Sequence, residues 1–204
     1  MQSKSHWENI YETKDATQVS WFQRHPELSF QFIERTGIEK AAHIIDVGGG
    51  ASTLADDLLS NGYENVTVLD ISAAALDVAQ RRLGLLASKV NWLEADITSA
   101  DLPTQYYDLW HDRAVFHFLT NPKDRANYVE TVRRSVKAGG HVIVATFGLE
   151  GPLRCSGLEV IRYNPNGLHH EFGNDFELVD TTEELHQTPF GTEQQFVYCY
   201  CQKG

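Results

Sequence analysis

His43-Ile44-Ile45-Asp46-Val47-Gly48-Gly49-Gly50-Ala51-Ser52 is the stretch around which the rest of the chain arranges itself. Ile44, Ile45 and Val47 predict a buried strand, and Gly48-Gly49-Gly50 ends it at once. A helix is expected from about Ser52, because Leu54, Leu58 and Leu59 lie at i, i+4 and i+5 and give it an apolar stripe; Asn61-Gly62 ends it. A strand that turns into a helix through glycines brings its backbone close to any molecule at the strand's carboxyl end, since glycine has no side chain to obstruct the approach. By itself such a turn serves a tight structural bend equally well.

The alternation repeats downstream. Val66-Thr67-Val68-Leu69-Asp70 reads as the second strand, and Ser72 caps a helix in which Leu76, Ala79 and Leu83 share a face. Val90-Asn91-Trp92-Leu93-Glu94 and Tyr107-Asp108-Leu109-Trp110-His111 are the third and fourth strands. Thr120 or Asn121 caps a helix with Pro122 in its first turn, Val129, Val132 and Val136 form its buried stripe, and Gly139-Gly140 are expected to stop it. His141 to Thr146 is the fifth strand. Short β-rich runs alternating with helices predict a parallel sheet covered on both faces. After residue 148 come a Gly/Pro-containing stretch, a short helix near 166–172, and strands at 176–180 and 193–201 that a loop connection makes antiparallel. The sequence holds no repeat or linker, so residues 1–204 are read as one domain. Within it 1–36 cover the site, 40–147 form the core, and 148–204 supply a substrate-side loop and the last strands.

Asp70 ends the second strand 24 positions after Asp46, a spacing at which a carboxylate can take both hydroxyls of a ribose lying across the two strands. Asp96 ends the third strand, in Glu94-Ala95-Asp96-Ile97. Two cofactors fit acids at three successive strand ends, and charge separates them. A dinucleotide presents a pyrophosphate, to which Asp46 is no help, and its Gly-x-Gly-x-x-Gly/Ala pattern fails at Thr53. S-adenosylmethionine presents an ammonium and a sulfonium, to which acids are attractive.

Ile45-Asp46-Val47-Gly48-Gly49-Gly50-Ala51-Ser52 resembles the first motif of class I S-adenosylmethionine-dependent methyltransferases, departing from it at Ala51-Ser52, where the family often has a small residue and a third glycine. The resemblance, strongest over residues 40–147, implies an α/β, Rossmann-like three-layer sandwich: a mostly parallel seven-stranded sheet with an antiparallel last strand. It implies that Asp70 holds the ribose with Ile71 against the adenine, that Asp96 and Ile97 meet the adenine amino group and ring, and that Asp46, Gly48, Gly49 and Gly50 form the loop beside the cofactor. Trp7-Glu8-Asn9-Ile10-Tyr11 and Val19-Ser20-Trp21-Phe22 resemble the leader of a subgroup in which aromatics lie over the cofactor. Trp7, Tyr11 and Trp21 are assigned that role, which suits a sulfonium because cations bind π faces; Phe22 is assigned to packing.

Methyl transfer from a sulfonium needs a nucleophile held in line and water kept out. The polar triplet His111-Asp112-Arg113, expected where the fourth strand gives way to a loop, supplies the candidate catalytic residues, with His111 also counted beside the cofactor. His111 can take a proton near neutral pH. Arg113 either holds an anionic substrate or pairs with Asp112. His117 is expected to pack or hydrogen-bond. Selectivity is expected in residues 151–191, which carry Arg154, Cys155, Arg162, Tyr163 and His186-Gln187-Thr188-Pro189-Phe190-Gly191.

Composition narrows the partners. Seventeen Lys and Arg against 28 Asp and Glu give a formal charge of -11, which disfavours nucleic acid and leaves a small molecule as the expected substrate, with a basic protein presenting lysine as the alternative. A nicotinamide-dependent reductase and a non-catalytic cofactor-binding module are the readings from other classes. No apolar run is long enough to span a bilayer and the start leads into no signal-peptide core, so the cytoplasm is the expected compartment, with no membrane partner. Cys155, Cys199 and Cys201 make no disulfide framework; they are expected as buried thiols ahead of a soft-metal site, with Cys199 and Cys201 on one strand face. No dedicated metal cluster is expected, since the neighbours His169 and His170 point apart on a helix.

Overall fold

The computed structural model describes residues 4–204; residues 1–3, the start of the expected cover, lie outside the described residues. Seven strands form one sheet: β1 (His43–Val47), β2 (Asn65–Asp70), β3 (Val90–Glu94), β4 (Tyr107–Arg113), β5 (Val136–Phe147), β6 (Phe176–Gln187) and β7 (Glu193–Lys203). Their order is β3-β2-β1-β4-β5-β7-β6. β1 to β5 pair in parallel, and β7 lies antiparallel to both β5 and β6. The order reverses between β1 and β4, the place where open α/β sheets leave a crevice at their carboxyl ends.

The described helices are α1 (Lys4–Thr13), α2 (Glu27–Arg35), α3 (Leu54–Ser60), α4 (Ala73–Leu83), α5 (Pro122–Ser135) and α6 (Pro165–Phe172). Local chemistry sets their starts. Ser72 Oγ accepts from Ala75 N–H at 3.1 Å, Asn121 Oδ1 from Lys123 N–H at 2.9 Å, and Asn164 Oδ1 from Gly167 N–H at 2.7 Å. Such caps contribute about 1 kcal/mol each.

Strand alternation sorts the core into two clusters. Ile44, Leu109, Ile143 and Tyr198 face Phe32 of α2, Leu54 and Leu58 of α3 and Leu76 of α4. Ile45, Trp110, Val144 and Cys199 face Tyr128 and Val132 of α5 and Leu168 and Phe172 of α6. This is the expected three-layer sandwich with its antiparallel last strand. Cys199 and Cys201 share a face, their sulfurs 3.4 Å apart, whereas Cys155 packs in the other cluster, so the three thiols do not converge.

Four expectations change. α5 ends at Ser135, and Val136 opens β5, pairing with Tyr107; Gly139-Gly140 therefore lie in the strand and do not terminate the helix. β6 continues past Asp180 to Gln187 because it pairs with β7 along its whole length. His117, expected in the helix that follows β4, sits in a 3-10 turn, Phe116–Phe118. Most consequential, β4 runs through Arg113, so His111, Asp112 and Arg113 are strand residues whose side chains alternate between faces.

Candidate active site

A cleft opens at the carboxyl ends of β1, β2 and β4. One end is lined by Gly48, Asp70, Ile71, Asp96 and Ile97, the other by Trp7, Trp21, Arg113, Val115, Phe118 and Cys155. An adjoining hollow shares Tyr11, Trp21, Gly48 and Arg113 with it and adds Ser29, Asp46, Gly49 and His111.

The loop after β1 requires glycine for steric reasons. Gly48 sits at φ 71°, and a Cβ there would run into Val115 Cγ2; one at Gly50 would run into Asp70 Oδ2. The space at Gly50 lets its N–H reach Asp70 Oδ2 at 3.1 Å while Ser72 N–H reaches Oδ1 at 2.9 Å. Asp70 is buried, and burial pushes its carboxyl up to about 7 against the pull of those two N–H groups, with Asp46 and Glu8 adding to the rise. Asp96 Oδ1 accepts from Thr98 N–H at 3.0 Å and from Thr98 Oγ1 at 2.8 Å.

Register explains the next contact. Asp46 and His111 are partners in the β1/β4 pairing and point to the α2 side. His111 Nδ1 lies 2.7 Å from Asp46 Oδ1, and Nε2 lies 2.9 Å from Ser29 Oγ of α2. Ser29 Oγ is 3.1 Å from Tyr198 Oη, which accepts from Arg113 Nε–H at 3.1 Å. Arg113 and Tyr198 are both partners of Ala145, whose small side chain lets them meet across β5. Asp46 Oδ2 is buried with no hydrogen-bond partner in the protein, an acceptor left for a donor from outside.

Arg113 donates from Nη1 to Trp21 O at 3.2 Å and from Nη2 to Glu184 Oε2 at 3.3 Å, and lies 4.1 Å over the Phe196 ring. It pairs with Glu184 of β6; the Arg113–Asp112 pair does not form because the two side chains leave β4 on opposite faces. Asp112 is fully buried toward α5, accepting from Tyr128 Oη at 2.6 Å, Val115 N–H at 2.9 Å and Phe116 N–H at 3.1 Å. Burial raises its carboxyl to about 6, with Tyr128 foremost among the groups opposing that rise. Asp112 lines neither cavity, so of the triplet it is the residue the structure sets apart.

α1 covers the cleft. Trp7 stands edge-on to Trp21 at 5.8 Å and to Phe118 at 5.1 Å. Glu8 latches the helix down: its carboxylate accepts from Ala73 N–H at 2.9 Å, Ala74 N–H at 3.0 Å and Ser72 Oγ at 3.0 Å, all at the start of α4. Burial pushes the Glu8 carboxyl up, but these donors and Lys4 hold it below the usual range, as expected for an anion at a helix N-terminus. Lys4 also pairs with Glu94.

The cleft thus gathers Trp7, Tyr11, Trp21, Gly48, Asp70, Ile71, Asp96 and Ile97, and the hollow gathers Asp46, Gly49 and His111. Gly50 stands behind Asp70 and lines neither. Of the residues expected to set selectivity, Cys155 reaches the cleft, while Arg162 binds the carbonyls of Leu149 and Gly151 and His186 binds Ser20 O. Ser29, Tyr198 and Glu184 went unread in the sequence, being polar residues on an amphipathic helix and on strands with no motif around them. Glu8 had a signal, an acid beside Trp7, but its target is 64 residues away.

A sheet of this order, with glycines and acids at its switch point, defines the Rossmann-like methyltransferase fold. Residues 44–140 match the family described as a methyltransferase domain, and the fold is that of the class I S-adenosylmethionine-dependent methyltransferases. It is 27% identical over 128 residues to a malonyl-[acyl-carrier protein] O-methyltransferase of Paenibacillus sp. (strain JDR-2), covering 60% of this chain and 45% of that protein. It is 26% identical over 160 residues to EEF1A lysine methyltransferase 2 of Danio rerio, covering 71% of this chain and 68% of that protein. Among solved structures, the N-methyltransferase NodS from Bradyrhizobium japonicum WM9, in complex with S-adenosyl-L-homocysteine, superposes with a TM-score of 0.71 at 15% identity, over 96% of this chain and 97% of that one. The chain spans less than half the length of the Paenibacillus relative.

Proposed function

We propose that the protein transfers a methyl group from S-adenosylmethionine to a small-molecule nucleophile. The observation that carries this reading is the unpartnered, buried Oδ2 of Asp46 beside the glycine loop, with Asp70 at the next strand end. An ammonium satisfies that oxygen, whereas a pyrophosphate would be repelled by it. In this reading Asp70 accepts from the ribose hydroxyls, Ile71 and Ile97 flank the adenine, Asp96 meets its amino group, and Asp46 with Gly48 and Gly49 receives the amino-acid end. Gly50 makes room for Asp70. Trp7, Tyr11 and Trp21 close the cleft and exclude water. When bound, the cofactor supplies a methyl group made electrophilic by the sulfonium.

His111 and Arg113 act from the α2 side, His111 by orienting Asp46 and Arg113 by presenting N–H groups to the acceptor. The aromatic enclosure by Trp7, Trp21 and Phe118 favours a small acceptor. The lysine reading draws on the acidic charge and the Danio rerio relative. Among the described residues no helix is long and apolar enough to cross a membrane, and we place the chain in the cytoplasm on its free thiols. Incubating the purified chain with methyl-labelled cofactor and a lysate split by size tests the assignment. Label in the metabolite fraction supports it, and label confined to protein contradicts it.

A further inference from the structure

We infer that the acceptor is a small apolar nucleophile that reaches the cleft already as an anion, an aromatic thiolate being its simplest representative, so that no protein group removes a proton during transfer. This rests on the methyl-transfer reading above and narrows it to a substrate class.

The first argument is that the basic groups near the acceptor end are engaged. His111 Nδ1 is bonded to Asp46 Oδ1 and Nε2 to Ser29 Oγ, so both ring nitrogens are engaged within the protein. Ser29 Oγ also meets Tyr198 Oη, which accepts from Arg113 Nε–H and donates to Glu184 Oε2 at 3.4 Å. A buried chain of hydrogen bonds therefore links the guanidinium to Asp46, and His111 has no nitrogen left for a substrate proton. Asp112 lies on the other face of the sheet, bonded to Tyr128. His117 takes Phe147 N–H on Nδ1 at 3.1 Å, sits behind Phe118, and is neutral because burial, with Arg113 adding to it, pushes it down to about 3. Tyr11 and Cys155, which do line the cleft, are held protonated by burial, the thiol being pushed up to about 11. His6 stands edge-on to Trp7 and is not on the cleft wall. Asp70 and Asp96 belong to the nucleotide end, and Glu8 is spent on α4.

The second argument is the wall itself. Trp21, Val115, Phe118 and Cys155 surround one cation, Arg113. Of the five guanidinium N–H groups, Tyr198, Trp21 and Glu184 take one each, which leaves two. An amine entering here as ammonium would meet a guanidinium and a sulfonium with no group to take its proton. An anion would sit between two cations. The step then balances without the protein: the acceptor's electron pair forms the bond to the methyl carbon, the carbon–sulfur bond breaks with its pair remaining on sulfur, and no proton moves.

The test uses the purified full chain. Calorimetry with S-adenosylhomocysteine establishes binding. 4-Nitrothiophenol is then titrated into that complex while the thiolate's visible absorption is followed. Methyl transfer from labelled cofactor is measured for thiophenols of graded acidity, for benzylamine and for a lysine-bearing peptide. The thiolate band is expected to persist on binding below the pH at which the free thiol loses it. The rising limb of the pH profile is expected to move with each thiol's own acidity, and the amines to react at least about 100-fold more slowly, on the order of 3 kcal/mol. Glu184→Gln, which removes the charge balancing Arg113, is expected to lower the KM for the thiol several-fold. Amines methylated as fast as thiols, a pH limb that stays fixed across the thiol series, or a chain that binds S-adenosylhomocysteine yet transfers no methyl group from S-adenosylmethionine to any of the thiols would each overturn the inference and leave the cofactor reading standing. Failure to bind S-adenosylhomocysteine would overturn both.

Discussion

The end of the cleft proposed to hold the nucleotide and the end proposed to hold the acceptor are fixed by different means. At the nucleotide end, Asp70 and Asp96 sit where β2 and β3 give way to turns, and backbone N–H groups of Gly50, Ser72 and Thr98 fix their carboxylates within a few residues or one neighbouring strand. At the acceptor end, Trp7, Trp21, Arg113, Phe118 and Cys155 converge from five places along the chain, and α1 is docked chiefly through one carboxylate. Local hydrogen bonds make the first end preorganised in the free protein, whereas the second depends on tertiary contacts that open independently of the sheet. Binding the cofactor and enclosing the acceptor should therefore be separable by mutation.

The change that erases the difference is at Trp110, which is fully buried beneath β4 and donates from Nε1 to Tyr128 Oη at 2.9 Å. Trp110→Ala is expected to destabilise the whole fold by about 3–5 kcal/mol, because a large cavity opens under the strand that serves both ends; chemical denaturation measures it. Asp70→Ala should act on the nucleotide end alone, weakening S-adenosylhomocysteine about a hundredfold, roughly 3 kcal/mol, by calorimetry.

Asp70 also carries a pH signature. Its carboxyl rises from 3.8 in the unfolded chain to about 7 in the free fold, so between these values the folded state binds more protons. Stability from this group is complete below the lower value and declines as pH rises toward about 7. Asp70→Asn should flatten that decline in thermal melts. Cofactor affinity should rise with pH through about 7, as the carboxylate proposed to accept the ribose hydroxyls forms.

Glu8→Ala tests the other end. Removing an anion from a helix N-terminus costs about 1 kcal/mol. It should speed proteolysis within α1 and raise the KM for the acceptor by up to about tenfold, leaving S-adenosylhomocysteine affinity and the melting of the sheet nearly unchanged. The smallest effect belongs to Ala114, on the cleft wall at φ 75°, a backbone region that strains any residue with a Cβ. Ala114→Gly should stabilise the protein by up to about 1 kcal/mol in denaturant titrations.

This contrast also decides what could be read without a structure. The first three strands, the glycine turn and the acids beside their ends are local patterns, and they fall where periodicity and turn chemistry put them, whereas β5 and β6 run past their local pattern because neighbouring strands pair with them. His111-Asp112-Arg113 misled because a polar triplet reads as a loop, whereas β5 pairs alongside β4 as far as Arg113 and keeps it extended. Once it is a strand, alternation sends Asp112 to Tyr128 and leaves Arg113 to Glu184, 71 residues on. The relay through Ser29 and Tyr198 depends on α2 crossing the sheet at one register, which no short-range signal encodes.

The central claim is that the acid-lined cleft recognises adenosine joined to a cationic amino acid and sulfur. Side-by-side calorimetric titration of the purified chain with S-adenosylmethionine and with NAD tests it most directly. The account predicts one S-adenosylmethionine bound per chain and no heat from NAD; tight binding of NAD with none of S-adenosylmethionine would contradict it.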